Sequence, residues 1–167
     1  MIDPAYVQAM ARYNAWQNRS LFGAGDGLDD AARNADGGAF FGSIHATLRH
    51  ILWGDRIWLG RFTDGSRPDW NFRGPDAAFA DWAGLREARR ETDAAIDAWA
   101  NALDPAWLQG DLTWVSGIDK EARTKPKWLC VVHMFNHQTH HRGQVHALLT
   151  RAGAKPDASD LAVMPEG

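Results

Sequence analysis

The sequence predicts an all-α protein, a four-helix bundle closed by one long crossover connection. Three observations predict it. Four stretches repeat apolar residues at helical spacing. Gly, Pro and Asp gather between those stretches and mostly stay out of them. The last stretch holds five of the seven histidines within the fourteen residues from His133 to His146, with His137 and His141 at the i,i+4 spacing from which helix bundles build metal sites.

The first helix opens at Asp3-Pro4, where Asp caps and Pro suits the first helical position. Tyr6, Met10, Tyr13, Trp16 and Leu21 carry its apolar spacing up to Gly23-Ala24-Gly25. Residues 23–38, rich in Gly, Asp and Asn, read as a loop with at most a short helical turn. The second helix is expected from about Phe40 to Phe62, with Phe41, Ile44, Leu48, Ile51, Leu52, Trp58 and Phe62 as its apolar stripe and Arg49, Arg56 and Arg61 among the outward positions. Breakers at Gly65, Pro68, Gly74 and Pro75 mark a long connection. The third helix is expected to begin between Asp76 and Phe79 and to reach about Ala102, on the spacing of Trp82, Leu85, Ala88, Thr92, Ile96 and Trp99. Asp104-Pro105 opens a short capped turn, and the segments 112–116 and 121–124, flanking Gly117-Ile118-Asp119, suit a small hairpin. The histidine helix follows Lys125-Pro126 and stops at Gly153, with Pro156 beyond. The whole chain, 1–167, is expected to form a single domain.

On the last helix, His137 and His141 lie roughly 40° apart around the axis, one turn above the other, which makes a bidentate clamp for a metal. His133, Cys130, Gln144 and Leu148 fall near the same line, which is expected to face the core. A third ligand has to come from elsewhere. His50 sits at the margin of the second helix's stripe, whereas His45 lies well away from it, and Gly54 one turn on removes a side chain from the same edge. His50 is therefore the better third ligand on geometry. Asp55 has two readings, an acceptor that orients a ligand imidazole or a plain salt bridge. His133 and His140 stay open as replacement or fourth ligands, while Cys130 and His146 are expected to be ordinary packing residues and Arg142 to make a surface or intersubunit pair. Gly143, inside a helix, suggests close approach of another backbone. Gln144 is placed to hydrogen-bond a ligand or a substrate, and Trp58 is a candidate pocket wall. His133 and His137 are spaced like a zincin pair, but Met134 stands where that chemistry needs Glu.

Composition narrows the classes. A net charge of −3 without a basic stripe leaves nucleic-acid binding no electrostatic footprint. No stretch reaches the roughly 18 apolar residues of a membrane span. The single cysteine excludes an intramolecular disulfide and suits a reducing compartment, so a soluble cytoplasmic protein is expected. Nine tryptophans give an unusually large aromatic payload. Many exposed aromatics, together with Trp53 and Trp70 outside the helix stripes, form a hydrophobic patch too large for a monomer, so a homodimer packed through helices is expected.

The run from Gly42 to Leu59, containing His45, His50, Asp55 and Trp58, followed by Phe135-Asn136-His137-Gln138-Thr139-His140-His141-Arg142-Gly143-Gln144, resembles the DinB family, the DinB/YfiT-like metalloenzymes. The likeness extends over essentially the whole chain. It implies a helical bundle with three histidine ligands around a divalent metal, usually nickel or zinc, and those ligands fall on His50, His137 and His141. Some relatives are thiol-dependent transferases or isomerases, so the resemblance implies a low-molecular-weight thiol as co-substrate and a small-molecule electrophile as substrate. Against this stand two other readings, a metal-dependent hydrolase and a non-catalytic protein that the metal merely stabilises. Three ligands favour an open site over a closed structural one.

Overall fold

The computed structural model describes residues 2–63, 66–74, 77–117 and 119–166. It contains five α-helices, α1 (Pro4–Asp26), α2 (Asp30–Asn34), α3 (Ile44–Phe62), α4 (Trp82–Asn101) and α5 (Lys127–Arg151), and a two-stranded antiparallel sheet of β1 (Asp111–Val115) and β2 (Ala122–Pro126). The chain is thus mostly helical with a small sheet, and not wholly α. The sheet is the expected hairpin, one or two residues longer at each outer end, and Thr113 and Thr124 face each other across it with their hydroxyls 2.8 Å apart. Its turn residue Ile118 lies outside the described residues, as do Gly65, Pro75 and Asp76.

Local chemistry sets the helix ends. Asp3 accepts from the Tyr6 amide at 2.9 Å and Pro4 follows it, as expected. α1 nevertheless runs through Gly23 and Gly25 to Asp26. The reason at Gly25 is steric: a Cβ there would lie 2.7 Å from the Trp82 indole, so the glycine serves packing and not a turn. α3 starts at Ile44, later than the expected Phe40, because Gly42 takes φ +80° and Ser43 then caps the helix on the Ala46 amide. α4 starts at Trp82, after Phe79 at φ 57° and the cap Asp81, so of its expected start Phe79 lies outside the helix and Asp76 outside the described residues. Gly153, at φ +85°, ends α5 where the sequence puts it. The tail then runs back along α1, with Tyr13 Oη donating to the Ser159 carbonyl at 2.7 Å and the Asp157 amide to Ser20 Oγ at 2.7 Å.

The four long helices pack pairwise, α1 on α4 and α5, and α3 on α5 and α4. Their buried apolar residues form two clusters. One holds Leu21, Phe22, Leu48, Ile51, Leu52, Leu85, Val145 and Leu149; the other holds Val7, Phe62, Ile96, Leu108, Val131, Met134 and Phe135. Along every long helix, polar residues occupy the positions between the two clusters: Asn14 and Asn18 on α1, Asp55 on α3, Arg89 and Asp93 on α4, Gln138 and Arg142 on α5. All seven are buried. They form a connected belt. Arg89 bridges Asp55 at 2.5 Å and Asp93 at 2.9 Å; Gln138 Nε2 donates to Asp55 at 2.8 Å; Asn14 and Asn18 donate to Asp93 at 3.0 and 2.9 Å; and Arg142 donates to the Asn14 side-chain oxygen.

The belt decides between the two readings of Asp55, for the salt bridge, and corrects the expectation for Arg142. Asp55 is the anchor of a buried ion pair and not an acceptor for a ligand imidazole. Arg142 is buried in the interior and not at the surface, its pKa pushed down to about 10 by burial. Burial also opposes the charge on Arg89, but the Asp93 and Asp55 carboxylates outweigh it and hold that pKa above its ordinary value.

Gly143 is corrected as well. It is exposed, and a Cβ built on it meets nothing within 4 Å, so among the described residues no other backbone approaches it. Gly143→Ala is therefore expected to stabilise the protein by up to about 1 kcal/mol, the helix-propensity difference alone. Urea denaturation reads this directly, and a destabilised variant would mean that the position is filled in solution.

Candidate metal centre

Three histidines from two helices converge at the level of the belt. His50 comes from α3, His137 and His141 from α5, and one ring nitrogen of each lies within 4.8 Å of those of the other two. The His50 and His137 Nε2 atoms face each other at 2.9 Å. Gly54 makes the approach possible: a Cβ there would lie 2.9 Å from His137 Cε1. His141 is fixed from behind, its Nδ1 lying 2.8 Å from Gln144 Oε1. Since an amide oxygen only accepts, Nδ1 carries the proton and Nε2 keeps its lone pair for the site.

The histidine stripe runs along the α3-facing edge of α5, and the centre of the core lies beside it, on Met134, Gln138 and Val145. That offset explains the fate of the alternatives. His133 is exposed and packs its ring on Trp58 at 5.0 Å, and His140 is exposed one residue before His141. Neither belongs to the close group. His45 is more deeply buried than its position off the stripe suggests. Its Nε2 lies 2.8 Å from the Phe79 carbonyl and its ring packs against Trp82, on the α4 side. Cys130 is core, and His146 is half-buried outside the cluster.

Trp58 reaches His133, Phe62 and Trp114, whereas other rings wall the triad. Phe41 stacks on His50 at 3.9 Å between centroids and lies 5.3 Å from His141. Phe72 lies 4.9 Å from His50 and 4.6 Å from Trp53. The Arg73 guanidinium covers Phe41 and Phe72, 5.1 Å from each ring centre. Arg49 Nε holds the loop in place by donating to the Phe72 carbonyl at 3.0 Å. Phe41 is expected inside the helical stripe but sits before the helix, in the turn that Gly42 creates. Phe72 and Arg73 carry no periodic signal at all, since they lie in the long α3–α4 connection.

Burial, then the neighbouring imidazoles, pushes the His50 pKa down to about 3 and the His137 pKa down to about 4, with Arg73 adding to the effect on His50; burial lowers that of His141 too. The rings are neutral at ordinary pH, as metal ligation requires. The His50 and His137 Nε2 atoms lie at hydrogen-bond distance, one donating to the other, and neither buried Nδ1 has a partner; with both rings carrying the proton on Nδ1, the two Nε2 lone pairs would be free for a cation. Two tetrahedral ligands at about 2.0–2.1 Å from one ion stand about 3.3 Å apart, so the 2.9 Å between the His50 and His137 Nε2 atoms has to widen by a few tenths of an ångström to admit one. The residues fit a divalent metal.

Against known families, residues 1–166 match the DinB family. The chain belongs to the DinB family. No curated protein and no solved structure matches it at a significant level. In this DinB protein the three histidines that the resemblance marks are the three that the fold brings together, and among the described residues they are the one cluster of His, Cys, Asp or Glu with metal-holding geometry. Also among the described residues, no helix is long and apolar enough to cross a membrane.

The depressed pKa values carry a pH signature. The unfolded chain takes up protons at His50 and His137 near pH 6.5, while the folded chain does so only at about 3 and about 4. Between those limits the unfolded state binds more protons at these two rings, so their contribution to stability rises with pH. In metal-free protein each of the two rings is expected to contribute up to about 1.4 kcal/mol per pH unit between about pH 4 and 6.5. The double variant His50→Gln/His137→Gln loses that slope. Equal slopes for the two proteins in urea titrations would refute the assignment.

Proposed function

We propose that this DinB protein binds a divalent metal, zinc or nickel, through His50, His137 and His141, and acts as a thiol-dependent transferase or isomerase on a small electrophile. The observation that carries the reading is the mutual approach of three neutral imidazole nitrogens within 4.8 Å, with no fourth His, Cys, Asp or Glu in the group among the described residues. A divalent ion bound by three such ligands keeps an open position and makes a thiol or water there acidic near neutral pH. The chain's own residues orient and shield. Gln144 fixes the His141 tautomer, Gly54 admits the His137 ring, and Phe41, Phe72 and Trp53 form an apolar wall that limits water at the open side. Cys130, the single thiol of the chain, is buried in a core cluster and outside the close group. That favours a nucleophile brought from outside.

We infer that the four long helices form a four-helix bundle and one domain, with the α3–α4 connection as its long crossover. A homodimer in a cytoplasmic setting belongs to the same proposal. Trp53 and Trp70 are engaged within the chain, against Phe72 and Phe79, so dimerisation draws its support from apolar side chains left in solvent, Phe40 and Val163 among them. Sedimentation at micromolar concentration decides it, and a monomer removes the dimer.

The deciding experiment for function is metal analysis of untagged protein followed by titration of the cobalt-substituted form with simple thiols. One equivalent of metal and a thiolate charge-transfer band are expected. Metal without any response to thiols, but with a response to azide, would favour the hydrolytic reading. A full complement of metal that no added ligand perturbs would favour a purely structural ion.

A further inference from the structure

Resting on that reading, we infer that Arg73 forms an anion subsite beside the metal centre, so that the small molecule held there carries a carboxylate or a similar negative group a few bonds from its donor atom. Four observations support it. Arg73 is exposed, and among the described residues it has no carboxylate partner, unlike Arg33, Arg86, Arg89, Arg90 and Arg123, each of which pairs with an acid. Its guanidinium is held over two rings, 5.1 Å from both Phe41 and Phe72, and those same rings lie 3.9 and 4.9 Å from His50. The cation therefore stands one aromatic side chain away from a ligand of the centre. Arg49 fixes the loop that carries it through the Phe72 carbonyl, so the group is positioned and not merely nearby. Finally, the rings that wall the triad carry no charge of their own, and the Arg73 guanidinium over two of them is exposed and placed to recognise a ligand's charge.

Cations stacked on aromatic faces keep their N–H edges free for in-plane hydrogen bonds, and arginine offers two parallel donors to a carboxylate. A ligand whose donor atom meets the metal and whose carboxylate meets Arg73 gains a charge-assisted pair next to apolar walls, where such pairs are stronger than in open water. A neutral ligand with the same donor gains nothing there.

The test uses cobalt-substituted protein and matched ligand pairs: 3-mercaptopropionate against 2-mercaptoethanol, and imidazole-4-acetate against imidazole. Binding is read from the cobalt spectrum. The anionic member of at least one pair is expected to bind about tenfold more tightly relative to its neutral partner in wild type than in Arg73→Gln, with Arg73→Lys in between. Intrinsic ligand acidity is the same in every protein, so the change in the ratio reads Arg73 alone. A response of the imidazole pair without any response to thiols sinks the thiol chemistry and leaves the anion subsite standing. If Arg73→Gln weakens both members of each pair in parallel, Arg73 only packs the loop and the inference falls. It falls equally if no ligand perturbs the spectrum, or if cobalt does not bind, and the last result overturns the metal reading with it.

Discussion

Untagged His137→Ala and His141→Ala proteins are expected to carry no stoichiometric divalent metal. Each substitution leaves two side-chain donors, and a two-imidazole site does not hold a divalent ion against buffer and purification. His50→Ala should behave the same way, because His50 is the one donor that α3 contributes to the group among the described residues. His146→Ala and His45→Ala should retain metal: His146 lies outside the group, and His45 is spent on the Phe79 carbonyl. Gln144→Ala occupies the middle ground. It removes the acceptor that fixes the His141 tautomer, so a loss of about 10–100-fold in metal affinity is expected, without loss of the site. Elemental analysis together with competition against a chelator separates the three classes. Retention of metal by His50→Ala with loss in His45→Ala would show that the wrong α3 histidine has been chosen.

The second large effect belongs to the belt. Arg89→Met is expected to cost about 3–5 kcal/mol of stability, because it strands the Asp55 and Asp93 carboxylates in the interior without their cation. Truncating one partner of a buried pair is much worse than removing the whole group. Replacing Asp55, Arg89 and Asp93 together by apolar residues of similar volume should recover most of the loss. Urea midpoints of the single and triple variants measure the contrast. An Arg89→Met protein within about 1 kcal/mol of wild type would mean that water reaches the belt.

Much of this was legible in the sequence, and the failures have identifiable causes. Apolar periodicity gives the four long helices, because each buries one face, and it gives the hairpin because turn residues separate two short runs. It misplaces the α3 and α4 starts by several residues, since a chain at Phe41 or Phe79 looks the same whether it is helical or held by a glycine or a left-handed turn just outside a cap. The triad is legible because i,i+4 imidazoles on one helix and a glycine beside His50 on another are local signals with one geometric meaning. Arg142 and Asp55 are not, because burial of a charge depends on partners from other helices: Asn14 and Arg89 are far away in sequence and say nothing about Arg142 or Asp55 until the chain is folded. Nor does anything local announce Phe72 and Arg73. A loop residue acquires its role from the place where the loop is tied down, here by Arg49.

The belt has a further consequence for α5, which uses two adjacent faces over the same turn. Positions 137 and 141 face His50, while 138 and 142 are bonded to Asp55 and Asn14. Leucines and valines are indifferent to sliding, for an apolar layer displaced by one turn finds another apolar layer. Hydrogen-bonded charges are not indifferent, and they give the helix a single notch in which to sit. An all-hydrophobic interior would remove that notch. α5 would then be free to slip by one turn, about 5.4 Å, and carry both histidines past their partner. A variant selected for thermal stability alone could thus gain in melting temperature while losing its metal, a trade that would show first in elemental analysis and not in the fold.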